Sequence, residues 1–90
     1  MKRIYKYVLG IVDSQELSLP LGSKVLSVEE QYGNIVLYAL VDTEWSELEI
    51  YSVIIHGTGH QANDIENYCF LGTVKLADGQ LIFHVFYRKE

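Results

Sequence analysis

Apolar and polar residues alternate with a period of two along most of the chain, the signature of strands with one buried face. In "RIYKYVLGI" Tyr5, Tyr7, Leu9 and Ile11 share one face, while Lys2, Ile4, Lys6 and Val8 share the other. "QELSLPLG" sets Leu17 and Leu19 on one side, and Pro20 and Gly22 end that strand. "KVLSVEEQYGNIVLYALVD" reads as a hairpin, with Gly33-Asn34 supplying the positive φ of a tight turn. "LEIYSVIIH" starts by alternating and turns apolar on both faces at Val53, Ile54 and Ile55. Such a run belongs in the middle of a sheet or under cover on both sides. The longest polar break, "GTGHQANDIEN", follows it. "YCFLGTVKLADGQLIFHVFYRK" is then a second hairpin that turns at Ala77-Asp78-Gly79-Gln80.

Helical spacing is almost absent. "NDIENY" offers one capped turn at most, far short of a self-supporting helix. The pattern predicts one all-β domain over residues 1–90, a small antiparallel sandwich or barrel of six to seven strands. Apolar residues make up 49% of the chain and aromatics 12%, which excludes disorder. On so short a chain that surplus also favours a homo-oligomer, most simply a dimer.

Charge narrows the partners. Seven basic residues against twelve acidic ones give a net charge of -5. Long nucleic acid is bound through many Lys and Arg contacts to phosphate, so it is a poor partner here. A small phosphorylated ligand needs only a few local donors. Five of the seven basic residues, Lys2, Arg3, Lys6, Arg88 and Lys89, lie near the two ends of the sequence. Were the terminal strands neighbours, they would form a basic patch interleaved with Tyr5, Tyr7, Phe86 and Tyr87. No apolar run approaches membrane-spanning length, and no signal peptide is expected. The lone cysteine, Cys69, sits in an apolar run and is expected to be a small buried hydrophobe.

No catalytic set is legible. His56, His60 and His84 have no carboxylate or cysteine at metal-ligand spacing, and ordinary hydrogen-bonded histidines explain them better than a metal site. There is no nucleophile elbow. Asp42, Glu44, Glu47 and Glu49 around Trp45 read as a solvated acidic loop. The chemistry concentrates in "IIHGTGHQ". Glycines at positions 57 and 59 can turn successive N–H groups inward as a nest for phosphate or carboxylate. The plain alternative is a tight strand exit. The candidate ligand-facing set is Gly57, Thr58, Gly59 and His60, with His84 converging from the last strand and Arg88 two pleats further on. Tyr5 and Trp45 are the candidate stacking rings.

The opening "MKRIYKYVLGIVDSQELSLPLGSKVLSVEEQYGNIVLYALVD", the central "GTGH" and the closing "FLGTV…LIFHVFYRK" resemble a family of short proteins common in phage genomes. Its most specific elements here are "IYKY", the "LP-G" turn, "GTGH" and "FHVF". In size and style that family resembles phage proteins that sequester nucleotide second messengers of bacterial immunity. The resemblance implies a non-catalytic protein of the host cytoplasm that binds a cyclic dinucleotide such as cGAMP, or an ADP-ribose derivative, and so blunts CBASS-type signalling. It implies no cofactor. The alternative is a phage accessory module that binds a host or virion protein through a sheet edge.

Overall fold

The computed structural model describes residues 1–90. It contains seven strands: β1 (Lys2–Leu9), β2 (Ser14–Pro20), β3 (Lys24–Gln31), β4 (Asn34–Asp42), β5 (Leu48–Gly57), β6 (Cys69–Leu76) and β7 (Leu81–Lys89). They form two antiparallel sheets, a three-stranded one in the order β1-β4-β3 and a four-stranded one in the order β2-β5-β7-β6. The sheets pack face to face, as the alternation requires. No helix is long and apolar enough to cross a membrane.

The core fills from both inner faces. Leu9, Val25, Val28, Ile35, Leu37, Ala39 and Val41 come from the three-stranded sheet. Leu19, Tyr51, Val53, Ile55, Val74, Leu76 and Val85 come from the other. Along one side the sheets nearly touch. A Cβ placed on Gly72 of β6 would lie 2.9 Å from a Val28 methyl of β3. A side chain there would drive the two strands apart, so the glycine permits the seam.

β5 pairs with β2 on one side and β7 on the other, so its predicted central position holds. Its doubly apolar stretch also has a cause. Val53 and Ile55 face the core, whereas Ile54 points outward yet is only 4% exposed. The outer neighbours of Ile54 on the same strand are Ser52 and His56. Each pins the 58–68 segment. The Ser52 hydroxyl is 2.6 Å from the Tyr68 hydroxyl, and His56 Nε2 is 2.7 Å from Asp64 Oδ1. The segment is therefore a strap laid across the outer face of the four-stranded sheet. The Arg88 guanidinium sits 4.6 Å from the centroid of the Tyr68 ring, and Phe70 and Phe86 pack at 5.4 Å beside it.

Three expectations change. The first hairpin turns at Tyr32-Gly33 rather than Gly33-Asn34: these two residues carry the positive φ angles of 52° and 81°, and Gln31 pairs with Asn34. That leaves Asn34 as the first residue of β4. The terminal strands lie in different sheets and do not pair, so Lys2, Arg3 and Lys6 form no patch with Arg88 and Lys89. Cys69 is exposed, at the outer start of the edge strand β6.

Candidate functional site

β5 and β7 pair down to Gly57 opposite Phe83, which brings the strand exit at 57–60 beside the turn at 77–80. The Thr58 N–H donates to the Ile82 carbonyl at 3.2 Å, and the His60 N–H closes a turn on the Gly57 carbonyl at 3.1 Å. Gly59 takes φ +88° at the position where such a turn needs a left-handed residue. Of the three N–H groups at 58–60, only that of Gly59 is unengaged. A nest of inward-pointing donors is therefore not formed, because the sheet and the turn consume the other two.

The two glycines serve different ends. Gly59 is demanded by its backbone angle. Gly57 is not: a Cβ there would lie 2.9 Å from Cε1 and 3.0 Å from Nδ1 of the His60 ring. The imidazole folds back onto the bare Cα of Gly57, and any side chain would evict it. Among the three histidines, only the ring of His60 has no hydrogen-bond partner in the chain.

His84 does converge on the turn. Its Nε2 is 2.7 Å from Thr58 Oγ1, and its Nδ1 is 3.0 Å from Thr73 Oγ1. A hydroxyl donates or accepts, so this pair of threonines satisfies the ring in any tautomer. The bond ties the exit turn to the outer face of β7 and β6. It also commits the Thr58 hydroxyl to holding the turn. His56 stands opposite His84 across the β5–β7 pair. Its contact with Asp64 holds that carboxyl below its ordinary value, the hydrogen bond from the imidazole being the main cause. No group of three or more His, Cys, Asp or Glu side chains is placed to hold a metal ion.

The turn borders a cavity of about 270 Å³ at the open end of the sandwich, lined by Gly57, Thr58, His60, Gln80, Leu81, Ile82 and Phe83. A smaller space of about 80 Å³ adjoins it, lined by Ile11, Val12, Asp13, Ile55, Gly57, His60 and Phe83. Gly57, His60 and Phe83 border both. The two spaces make up a divided trough, with Gly57, Phe83 and the unbonded His60 imidazole as their shared walls.

Of the residues singled out in the sequence, Gly57, Thr58, Gly59, His60 and His84 come together. The other three stay apart. Arg88 shares the outer face with His84 but lies four residues along β7, about 13 Å away at the usual strand rise. There it covers Tyr68. Tyr5 projects from β1 in the opposite sheet, paired with Ala39. Trp45 sits in the loop before β5, whose ten residues put it about 30 Å from Gly57. Asp13, Gln80, Leu81, Ile82 and Phe83 were not foreseen. The clue in the sequence to the last four is that the final hairpin's turn must lie beside the end of whichever strand pairs with β7; Asp13, in the β1–β2 loop, carries no such signal.

Over residues 1–90 the chain matches a family described as "Domain of unknown function (DUF7352)", and it belongs to that family. No curated protein and no solved structure matches it.

Proposed function

We propose that this protein binds a small nucleotide in the end trough and does no chemistry on it. In its most specific form it is a phage protein that sequesters a cyclic dinucleotide messenger of antiphage immunity. The observation that carries the reading is the trough itself: a concave site lined by the apolar residues Leu81, Ile82 and Phe83 together with the polar Thr58, His60 and Gln80, with the 57–60 turn along one wall. That combination is what small-molecule sites offer. At about 270 Å³ the main space falls just below the usual range of roughly 300–1,000 Å³. It fits the nucleoside end of a ligand rather than a whole dinucleotide. A cyclic dinucleotide would then span two copies, which agrees with the homodimer favoured by the apolar composition.

The test is a thermal-shift screen of cyclic dinucleotides and ADP-ribose compounds, followed by chromatography of the recovered ligand. A ligand at a hundredfold excess over its dissociation constant stabilises by about 2.7 kcal/mol. The expected result is a shift with ligand recovered intact, lost in His60→Ala. Degraded ligand would make the protein an enzyme, and no shift with any nucleotide would remove the reading.

A second reading has its own observation. Ile4 and Val8 of edge strand β1 are 63% and 61% exposed on the bare outer face of the three-stranded sheet. Apolar side chains beside a free strand edge suit a partner protein that adds a strand. A null nucleotide screen favours this alternative.

A further inference from the structure

None of the residues lining the trough is Lys or Arg, and the protein carries a net charge of -5. A nucleotide held here is therefore gripped by its base, while its phosphates stay in solvent at the mouth. The groups that can read a base edge are few. Gln80 lies at one end, and Asp13 at the other is the only carboxylate among the lining residues. Asp13 is also well anchored, since its carbonyl accepts the Ile55 N–H at 3.0 Å. An ionised carboxylate only accepts hydrogen bonds. Its two oxygens match the parallel N1–H and N2–H donors of guanine, a bidentate pairing to a charged acceptor. Adenine presents the N1 lone pair at that edge and would be repelled.

Gly57, His60 and Phe83 stand between the main space and the one that Asp13 lines, and of these only the His60 ring is an exposed side chain. That ring rests on Gly57 without a hydrogen bond, so leaving its seat breaks only packing contacts. Resting on the nucleotide-binding reading above, we propose that the trough takes a guanine base, with Asp13 as the specificity-determining residue and His60 swinging off Gly57 to stack on the base.

Calorimetric titration of GMP, AMP, CMP and UMP into the wild-type protein and Asp13→Asn tests this. The Asn side chain keeps the shape but replaces one acceptor by a donor. Circular dichroism and the unfolding midpoint verify that the variant folds. The expected result is at least a tenfold preference of the wild type for GMP over AMP, abolished in Asp13→Asn. In imidazole NMR spectra the His60 resonances should move with GMP while those of His56 and His84 stay. Equal binding of AMP and GMP, a preference that survives Asp13→Asn, or unmoved His60 resonances on saturation with GMP would each overturn the inference and leave nucleotide binding standing. Failure of every nucleotide, mono- or cyclic di-, would instead overturn the function on which it rests.

Discussion

The two outer faces of this sandwich are finished in opposite ways. On the four-stranded sheet the 58–68 strap covers Ile54, ties down at Ser52 and His56, and leaves that isoleucine 4% exposed. On the three-stranded sheet nothing lies over β1, and Ile4 remains 63% exposed. Both positions carry the same side chain at the same phase of a strand. What differs is the chain that follows β5. The strap begins with Thr58-Gly59-His60, so the covered face and the trough share one segment. A sheet packed on both faces gives that segment a rigid base, which a binding site needs. The three-stranded sheet acts as the second wall of the core and leaves its outer face free.

The largest expected effect is the contrast between these two isoleucines. Ile54→Ala should destabilise by about 2–4 kcal/mol, as a large-to-small change at a buried site does. Ile4→Ala should stay within about 0.5 kcal/mol of wild type. Urea unfolding with unchanged m-values reads both. Equal, small effects would mean that the strap adds no packing and that the two faces are alike.

The same contrast shows what could be read from the chain. The all-β class, the seven strands and the central place of β5 follow from period two and the apolar run at 53–55. Local sequence cannot say why Ile54 is apolar, because its cover comes from a polar-looking loop. "GTGHQANDIEN" has only Ile65 as a sizeable apolar residue, and its attachment depends on three side-chain bonds, from Thr58, Asp64 and the adjoining Tyr68. The site divides likewise. The residues of the 57–60 turn were legible from their own chemistry, and His84 followed from the proximity of strands. Asp13 and Gln80 were not, since two turns far apart in sequence meet only through the order β2-β5-β7. Arg88 stands where the alternation puts it, two pleats beyond His84 on the same face, and that spacing keeps it at Tyr68 and away from the turn.

Next in size is the tie at Ser52. Its hydroxyl is one of the few buried polar groups, and Tyr68 is its partner. Tyr68→Phe leaves it unpaired, at a cost of about 1–3 kcal/mol. Adding Ser52→Ala should recover part of that loss, because an apolar pair needs no partner. A double variant as unstable as the sum of its parts would show that the bond is incidental. Smaller again is Thr58→Val, which removes the bond to His84 and should cost about 0.5–1.5 kcal/mol. The His84 ring keeps Thr73 and gains water at its other nitrogen, so the fold survives while the turn loosens. An unchanged unfolding midpoint would show that the backbone bond to Ile82 alone fixes the turn.

The smallest expected effect is a local one, set by pH at the far tie of the strap. Asp64 is lowered from an ordinary value of 3.8, first by the hydrogen bond from His56. A carboxyl depressed in the folded state contributes stability that is fully present above its ordinary value and lost as the pH falls through the folded one. The strap should therefore stay down at neutral and mildly acidic pH and loosen only below about pH 4. The side chain is more than half exposed, so the global midpoint should scarcely respond. The response belongs to residues 61–67, and amide chemical shifts of that segment followed from pH 6 to pH 2 report it. Asp64→Asn keeps an oxygen acceptor but cannot titrate, so its segment should lose the transition that the wild type shows. The bare face supplies the control: amides of β1 near Ile4 and Val8 have no strap to release and should show no matching step. If the wild type and Asp64→Asn loosen together, another acid holds the strap and the His56 contact is a bystander. If β1 moves in step with 61–67, the acid transition is global, and the distinction between the covered and the bare face does not extend to their dynamics.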